Sequence, residues 1–341
     1  MPFLDMETIG YDTVNNKAVF VDQTQLPAKY IEVFTDDFDE MYEAVKNLRV
    51  RGAPAIGVFA AISLAVLVNK TNDKDLKKQF FDYADRFISC RPTAVNLAWA
   101  IKKCKNTAEN SDDIQRDLKN LALQMIEEDI QICRQIGENG AKLLSKCNAV
   151  LTHCNAGRLA TVKYGTALAP IYIAKEKGHN ISVYADETRP LLQGARLTCY
   201  ELQTAGVDTT LICDNAASAV MKKGLVDAVV VGCDRVALNG DTANKVGTSV
   251  LAILASEYNI PFYVCMPFST FDKDIKDGSQ IPIEERNSDE IISICYKENI
   301  VAKGVKTLNY AFDVTDHKFI TAFVTEKGII KPSEIRNYCK N

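Results

Sequence analysis

The cysteines and histidines of this sequence lack the spacings that bind metals or mark redox sites. Eleven cysteines are scattered singly with no C-x-x-C pair, and the three histidines, His153, His179 and His317, form no H-E-x-x-H or comparable pattern. An odd, unclustered set predicts reduced thiols in a reducing compartment rather than a disulfide framework. A zinc site is therefore not expected, and most of the cysteines are expected to be small buried hydrophobic residues.

Nucleotide fingerprints, excess positive charge and a membrane-length apolar run are also absent from the sequence. It contains neither G-x-x-x-x-G-K-[ST] nor G-x-G-x-x-G, which argues against a nucleotide cofactor. The formal net charge of -4 argues against binding to nucleic acid or an anionic membrane. The longest apolar run, 54–68, is shorter than the about 20 residues that span a bilayer. Because no leader pattern precedes it, we expect a cytosolic protein, with a nuclear pool allowed in a eukaryote.

The 341-residue chain is long enough for two domains, each with its own core. Its first third contains two short segments rich in β-branched or aromatic residues, 17–22 and 30–35, which predict strands. After them come apolar patterns typical of helices at 38–48, 54–69, 74–89, 94–108 and 112–146. We therefore predict an N-terminal domain, 1–145, made of a small sheet and helices.

The remaining sequence alternates short apolar runs with helical patterns. The runs are 148–152, 181–185, 209–213, 228–232 and 261–265. Continuous apolar strands are typical of a sheet covered on both faces, which is a parallel sheet of β-α-β units. We predict an α/β protein whose second domain, 146–341, is a doubly wound, Rossmann-like parallel sheet. In such sheets ligands bind beyond the carboxyl ends of the strands.

Two reactive side chains directly follow apolar runs of this predicted sheet. Cys154 follows the first run and precedes a helix predicted to begin near Leu159, whose positive end would favour the thiolate. Asp234 follows the fourth run, where partial burial would keep its carboxyl protonated for use as a general acid. An ion pair with Arg235 and the capping of a turn are the alternative roles for this aspartate.

Other polar residues that follow the apolar runs are predicted to have structural roles. His153 precedes Cys154, but consecutive residues of an extended chain point to opposite faces, so a protease-like Cys–His dyad is not favoured. Asp214 and Asn215 follow the third apolar run and suit helix caps.

Two glycine-bearing segments predict places for a phosphate. Residues 50–57, VRGAPAIG, put an arginine at the start of an apolar helix that has proline in its first turn. Residues 239–248, NGDTANKVGT, are predicted as a polar loop that runs into a helix, with Lys245 near its start. Arg91 precedes Pro92, which predicts a helix junction where the two domains could meet; the alternative is a surface residue after a helix. Arginine offers a bidentate fork and lysine a point charge, although each segment alone also suits a turn.

Long segments of the sequence resemble those of the methylthioribose-1-phosphate isomerases. They are collinear and cover nearly the whole chain: VRGAPAIG (50–57), RPTAVNLAWAI (91–101), THCNAGRLAT (152–161), ADETRPLLQGARLTCYEL (185–202), GCDRVALNGDTANKVGT (232–248), IPIEER (281–286) and AFDVTDHKFITAFVTEKGII (311–330). The resemblance implies an aldose–ketose isomerisation of 5-methylthioribose 1-phosphate to 5-methylthioribulose 1-phosphate in methionine salvage, by a homodimer that needs no cofactor or metal. It also implies Cys154 as the catalytic cysteine, Asp234 as the proton donor, and substrate contacts at Arg51, Gly52, Ala53, Arg91, Gln193, Asn244 and Lys245.

The same resemblance leaves other interpretations open. The fold is similar to that of the regulatory subunits of the translation initiation guanine-nucleotide exchange factor, which would not need a reactive cysteine–aspartate pair. Sister isomerases act on ribose 1,5-bisphosphate or 5-deoxyribose 1-phosphate. Cys90 stands where a serine is common and Ser249 where a tyrosine is common, which leaves fine substrate preference open. Proton transfer by Cys154 and direct hydride transfer are both open as mechanisms.

Overall fold

The computed structural model describes residues 7–70, 75–91, 94–294 and 296–338. The chain divides into two compact units, Met1–Cys133 with Arg158–Gly165 and Arg134–Gly157 with Thr166–Asn341. The domain boundary predicted at residue 145 stays a prediction. Lys74, the first residue of a predicted helix, and Cys295 and Cys339 lie outside the described residues. Within the described ranges no helix is long and apolar enough to cross a membrane.

A small antiparallel sheet opens the first unit. Its strands, β1 (Ile9–Asp12), β2 (Lys17–Val21) and β3 (Glu32–Thr35), pair in that order. β2 and β3 confirm the two predicted strands. β1 was not predicted, because its sequence IGYD contains glycine and aspartate, which are depleted in strands, and pairing with β2 overrides that preference.

Helices follow at the five predicted places. They are α1 (Phe38–Lys46), α2 (Ala53–Asn69), α3 (Leu76–Cys90), α4 (Val95–Glu109) and α5 (Ile114–Leu143). α2 is apolar on all sides and is buried from Ala55 to Val68, as a core helix must be. Its Phe59 packs edge-on against Phe20 of β2, with ring centroids 5.3 Å apart. Pro54 lies in its first turn, in agreement with the prediction.

A seven-stranded sheet organises the second unit. The strands of this unit are β4 (Ala149–Thr152), β5 (Ser182–Asp186), β6 (Thr209–Ile212), β7 (Ala228–Val231), β8 (Arg235–Val236), β9 (Thr242–Lys245), β10 (Phe262–Cys265), β11 (Phe312–Thr315), β12 (Ala322–Thr325) and β13 (Gly328–Ile330). The large sheet has the order β13-β12-β10-β7-β4-β5-β6, and its strands are parallel except for the edge strand β13. The predicted α/β fold with a doubly wound parallel sheet is confirmed.

The second unit also contains helices and one unexpected small sheet. The helices are α6 (Ala169–Glu176), α7 (Cys199–Thr204), α8 (Ala217–Lys222), α9 (Thr248–Glu257), α10 (Asp289–Ile292) and α11 (Ile335–Tyr338). β9 lies between β8 and β11 in an antiparallel sheet. The prediction of a loop over 239–248 was therefore wrong at 242–245. The residues TANK lack an apolar alternation, and they form a strand because backbone partners flank them on both sides.

The strand order creates a topological switch point between β4 and β7. β5 and β6 extend the large sheet on one side of β4, whereas β7, β10 and β12 extend it on the other. Leu151 of β4 lies opposite Tyr184 of β5 and Val229 of β7, so the three strands end at the same edge. Loops that leave a switch point diverge and create a crevice for ligands. The residues directly after β4 and β7 are therefore placed for chemistry.

Candidate active site

Cys154 lies two residues beyond β4, and two threonine hydroxyls hold its backbone. The Cys154 N–H donates to Thr188 Oγ1 (2.8 Å), and Thr198 Oγ1 donates to the Cys154 carbonyl oxygen (2.6 Å). The φ of Cys154 is +63°, a left-handed conformation that costs free energy in a non-glycine residue and persists only where the surroundings hold it. The side chain is half-buried. Hydrogen bonds thus hold the backbone of the candidate nucleophile on both sides of its Cα, at the N–H and at the carbonyl.

The helix predicted to begin near Leu159 does not form. Arg158–Ala160 make a single 3-10 turn, and the next α-helix, α6, begins only at Ala169. Residues 158–165 belong to the first compact unit. A single turn aligns too few peptide dipoles to act as a helix N-terminus. The predicted activation of Cys154 by such a terminus was therefore wrong, and the threonine pair is the local support of this residue.

Asp234 lies three residues beyond β7, on the loop beside that of Cys154. A Cβ on Gly232 would lie 2.5 Å from the Cβ of Ala156, so the two loops touch at a point where only glycine fits. The Asp234 N–H donates to the carbonyl of Ala243 in β9 (3.0 Å). Asp234 is exposed, whereas the sequence predicted partial burial. The difference arises because the chain passes directly from β7 into β8 at the sheet edge.

β9 carries Asn244 and Lys245, two of the predicted substrate contacts. Lys245 Nζ donates to the carbonyl of Ala311 (2.9 Å) and lies 4.6 Å from the ring centroid of Phe312. Asn244 is buried. Because β9 pairs with β8, both residues stand on the same ribbon as Asp234. Lys245 therefore ends a strand rather than beginning a helix, and α9 starts at Thr248.

Gln193, another predicted substrate contact, is a buried side chain that precedes a π-helical turn, Gly194–Thr198. Its Oε1 has no hydrogen-bond partner among the described residues. Leaving a buried acceptor unsatisfied costs about 1–3 kcal/mol, so this oxygen is suited to a donor that a ligand brings. The role of Gln193 in substrate binding stays a prediction, and its geometry suits that role.

The other four predicted contacts lie in the first compact unit. Gly52 is the N-cap of α2, with Arg51 before it and Ala53 as the first helical residue. The first backbone N–H groups of a helix have no intrahelical acceptor, which suits them to an anion. Arg91 is the C-cap of α3. The binding roles of these four residues stay predictions.

A buried histidine–aspartate pair, which the sequence did not predict, lies next to Cys154. His153 Nδ1 is 2.8 Å from Asp186 Oδ2, and His153 Nε2 is 2.9 Å from the carbonyl oxygen of Val246. Burial alone would lower the pKa of His153, but the hydrogen bond to Asp186 and the charge of that carboxylate raise it above its ordinary value. Burial raises the pKa of Asp186 to about 6. Since both ring nitrogens have these partners, the structure agrees with the prediction that no Cys154–His153 dyad forms.

Asp214, predicted as a helix cap, instead supports the loop that follows β5. Its two carboxylate oxygens accept hydrogen bonds from the N–H groups of Thr188 (2.6 Å) and Arg189 (2.7 Å). Ligand atoms of His153, Asp186 and Asp214 lie within 4.8 Å of one another, a spacing that could hold a cation. The histidine ring and the Asp214 carboxylate already use these atoms in hydrogen bonds, which a cation would have to displace. The sequence signal for these residues was their place just after apolar runs.

Comparison with known proteins places these features in a family. Residues 49–332 match the Initiation factor 2 subunit family. The chain is 53% identical over 332 residues to 5-deoxyribose 1-phosphate isomerase of Petrotoga mobilis, covering 94% of this chain and 95% of that protein. It is 50% identical over 337 residues to methylthioribose-1-phosphate isomerase of Symbiobacterium thermophilum, covering 96% of this chain and 93% of that protein.

Two solved structures share the fold. 5-Methylthioribose 1-phosphate isomerase from Pyrococcus horikoshii OT3 superposes with a TM-score of 0.92 at 39% identity, covering 98% of this chain and 95% of that one. Translation initiation factor eIF-2B, subunit delta, from A. fulgidus superposes with a TM-score of 0.89 at 40% identity, covering 98% of each chain. With sequence and fold in agreement over nearly its whole length, the chain belongs to the Initiation factor 2 subunit family.

Proposed function

We propose that this protein is an aldose–ketose isomerase that converts 5-methylthioribose 1-phosphate to 5-methylthioribulose 1-phosphate, a step of methionine salvage. The observation that carries the proposal is the contact between the loops after β4 and β7, one bearing Cys154 and the other Asp234. These two adjoining loops follow strands on either side of the switch point where ligands bind, and they supply a thiol that can act as a base or nucleophile and a carboxyl that can act as an acid. A relative half identical to this chain carries the name of that isomerase.

The phosphate on C1 of the substrate sets the chemical problem. It blocks the anomeric oxygen, so the sugar ring cannot open to a free aldehyde. A proton delivered to the ring oxygen breaks the bond from that oxygen to C1 and leaves positive charge at C1. Asp234 is the proposed proton donor. Bound sugar would shield its exposed carboxyl from water and so favour the protonated form that the step needs.

Hydrogen then moves from C2 to C1 by one of two balanced routes. In the first, the Cys154 thiolate takes the C2 proton and the electron pair forms a C1=C2 double bond; a proton later adds to C1 while the C2 hydroxyl loses its own proton and becomes the carbonyl. In the second, the C2 hydrogen moves to C1 as hydride while the C2 hydroxyl loses its proton, and Cys154 stabilises the charge at C1. Both routes give a ketose that retains its phosphate.

Two side chains of the second unit support the binding of such a substrate. The unsatisfied Oε1 of Gln193 offers an acceptor for a sugar hydroxyl. Lys245 stands at the end of β9, where its ammonium group offers a point charge for a phosphate oxygen. We propose that these groups orient the sugar and its phosphate while Cys154 and Asp234 act on C1 and C2.

5-Deoxyribose 1-phosphate is the second candidate substrate, because a relative 53% identical to this chain is named for it. It differs from 5-methylthioribose 1-phosphate only by lacking the methylthio group at C5. An apolar pocket separates two such compounds by about 1–3 kcal/mol, which is a preference rather than an exclusion. We therefore expect turnover of both compounds, with the ratio of their kcat/KM values defining the physiological substrate class.

The test is phosphorus and proton NMR of the purified chain with each sugar phosphate in turn, in deuterated water, without added metal or nucleotide. The expected result is a ketose that keeps its 1-phosphate. Deuterium at C1 would show that hydrogen moves as a proton and would favour Cys154 as the base, whereas protium at C1 is the outcome of either hydride transfer or a proton shielded from the solvent. Absence of turnover with both compounds, from a chain whose circular dichroism shows it to be folded, would overturn the proposal and favour a non-catalytic subunit of the exchange-factor type.

A further inference from the structure

His153 connects three segments that carry candidate site residues. It directly precedes Cys154 in the chain. Its Nδ1 meets the carboxylate of Asp186, the last residue of β5, and its Nε2 meets the carbonyl oxygen of Val246, the residue after Lys245. A single side chain therefore touches the loop after β4, the end of β5 and the end of β9.

The partners of the ring fix how many protons it holds. The Val246 carbonyl can only accept, so Nε2 must carry a hydrogen. At Nδ1 the partner is a carboxylate oxygen, so a second hydrogen must lie between Nδ1 and Asp186 for the 2.8 Å contact to be attractive. Without that hydrogen, a lone pair on Nδ1 would face the carboxylate. The hydrogen-bond pattern is satisfied only when the pair holds two hydrogens.

The charges around the ring favour placing both hydrogens on it. Three carboxylates act on His153: Asp186 at the end of β5, Asp214 before α8, and Asp313 on β11. Asp313 accepts hydrogen bonds from the N–H of Gly247 (2.7 Å) and from Ser249, so its carboxylate lies against the same loop. A buried cation among carboxylates is stabilised by them. With the second hydrogen on Asp186 instead, the ring would be neutral and the Asp214 and Asp313 carboxylates would have no cation beside them.

The ring also packs directly against the loop after β9. A Cβ on Gly247 would lie 2.9 Å from His153 Cε1 and 3.0 Å from Nε2, and Gly247 has a φ of +104°. The loop can lie this close only because residue 247 has no side chain. On the other side, Asp186 is linked to Cys154 through Thr188, whose hydroxyl donates to the Asp186 carbonyl (3.1 Å) and accepts from the Cys154 N–H.

We propose that His153 is a positioning residue held as a buried imidazolium, whose two N–H groups join the Cys154 loop and the end of β5 to the Asn244–Lys245 segment. The bond to Asp186 keeps the support of Cys154 in place, and the bond to Val246 keeps the substrate-binding segment in place. The kinetic consequences rest on the proposed isomerase function, whereas the protonation state of the ring does not.

Two variants separate the two bonds. Asparagine places its amide nitrogen near the position of Nδ1, and glutamine places its own near Nε2, so His153→Asn keeps the Asp186 bond and His153→Gln keeps the Val246 bond. We expect His153→Asn to raise KM about tenfold with kcat within about threefold, since small misplacements of a binding or catalytic group cost about 10- to 100-fold. We expect His153→Gln to lower kcat about tenfold with KM within about threefold. Parallel changes of kcat and KM in both variants, or none, would overturn the positioning role.

Ring protonation is measured on the unaltered chain, which removes any dependence on variant folding or on turnover. The chain has three histidines, so ¹⁵N-histidine labelling gives three ring systems, and the His153 signals are those missing from His153→Gln. We expect both His153 nitrogens to be protonated at pH 7.5. A ring with one protonated nitrogen at that pH would overturn the imidazolium assignment even if the kinetic split is found. Protonated nitrogens together with absent turnover would instead overturn only the proposed function.

Discussion

The loops after β4 and β7 lie side by side at one edge of the sheet, yet they are built differently. Cys154 is half-buried, has a left-handed φ, and is held through its backbone by the hydroxyls of Thr188 and Thr198. Asp234 is exposed, and its N–H continues the pairing of β8 with β9 by donating to Ala243. The cysteine loop is fixed by side chains from other segments, whereas the aspartate loop is an extension of a strand ribbon.

This difference fits the chemical roles proposed for Cys154 and Asp234. A base or nucleophile must be aimed at one carbon atom, so a position determined by several surrounding groups is useful to it. A general acid must remain protonated until it is used, and an exposed carboxyl acquires that state when a ligand covers it. The comparison therefore predicts that turnover depends on the chemistry of both residues, but that only the Cys154 loop is sensitive to changes in its surroundings.

Removal of the thiol should have the largest effect. We expect Cys154→Ala to lower kcat by at least about 10³-fold, since loss of a positioned base or nucleophile has effects of this size or larger. Cys147→Ala is the matched control, because Cys147 precedes β4 at the opposite end of the same strand. Initial rates of ketose phosphate formation and urea midpoints would be measured for both. A Cys154→Ala enzyme with near-normal kcat would remove the thiol from the mechanism.

Neutralising the carboxylate should have the next largest effect. We expect Asp234→Asn to lower kcat about 10²-fold, because an amide cannot deliver a proton to the ring oxygen. The stability should change little, since asparagine keeps the size of the side chain and the residue is exposed. The control is Asp227→Asn before β7, whose carboxylate accepts from the N–H of Asn148 (2.7 Å) and should affect stability rather than turnover. Normal turnover in Asp234→Asn together with reduced turnover in Asp227→Asn would contradict the role of Asp234 as proton donor.

The support of the Cys154 loop should matter to a smaller degree. Thr188→Val keeps the shape and branching of the side chain but removes the acceptor for the Cys154 N–H, which should destabilise the fold by about 1–3 kcal/mol. We expect kcat to fall about tenfold as Cys154 loses its fixed position. Thr188→Ser, which keeps the hydroxyl, should restore most of both properties in urea denaturation and rate measurements. Equal behaviour of the two variants would show that the hydroxyl does not hold this loop.

The sequence predicted the strands that position Cys154 and Asp234 better than the side-chain contacts that hold these loops. The apolar runs before Cys154 and Asp234 identified β4 and β7, because a strand covered on both faces must be apolar throughout. The chain order of parallel strands then placed the residues after them at one edge. These predictions depend only on local composition and a general rule of sheet topology, so they needed no knowledge of side-chain contacts.

The supports could not be predicted in the same way. Thr188 and Thr198 are 34 and 44 residues from Cys154 in the chain, and Val246 is 93 residues from His153. Such pairs form only after separate loops meet, and threonine or a carbonyl carries no pattern that identifies its partner. The helix expected near Leu159 failed for a related reason, because residues 158–165 pack with the first compact unit.

The two loops also differ in the pKa of a carboxylate that supports each of them. On the aspartate side this carboxylate is Asp241, in the β8–β9 turn. Burial would raise the pKa of Asp241, but hydrogen bonds from Asn239, His317 and Gly278 lower it to about 2. Asp186, beside the Cys154 loop, has its pKa raised to about 6 by burial. The pKa values of the two supporting carboxylates are therefore shifted in opposite directions. The lowered pKa of Asp241 means that the folded state loses stability as pH falls.

Asp241→Asn tests this difference, with the smallest expected effect. Because the pKa of Asp241 is lower in the folded state than its unfolded value of 3.8, its contribution is complete above about pH 4 and is lost as pH falls toward 2. We expect the variant to be less stable than the unaltered chain by about 1–2 kcal/mol at pH 6, after allowance for solvent screening, and the gap to close near pH 2. Urea midpoints of both proteins between pH 6 and pH 2 measure this difference in stability. Asp277→Asn in the neighbouring turn is the control at pH 6, because asparagine accepts the Ser279 N–H as aspartate does and should leave the stability almost unchanged. If the stability difference between Asp241→Asn and the unaltered chain stays constant down to pH 2, the loss comes from the geometry of the amide and not from the missing charge.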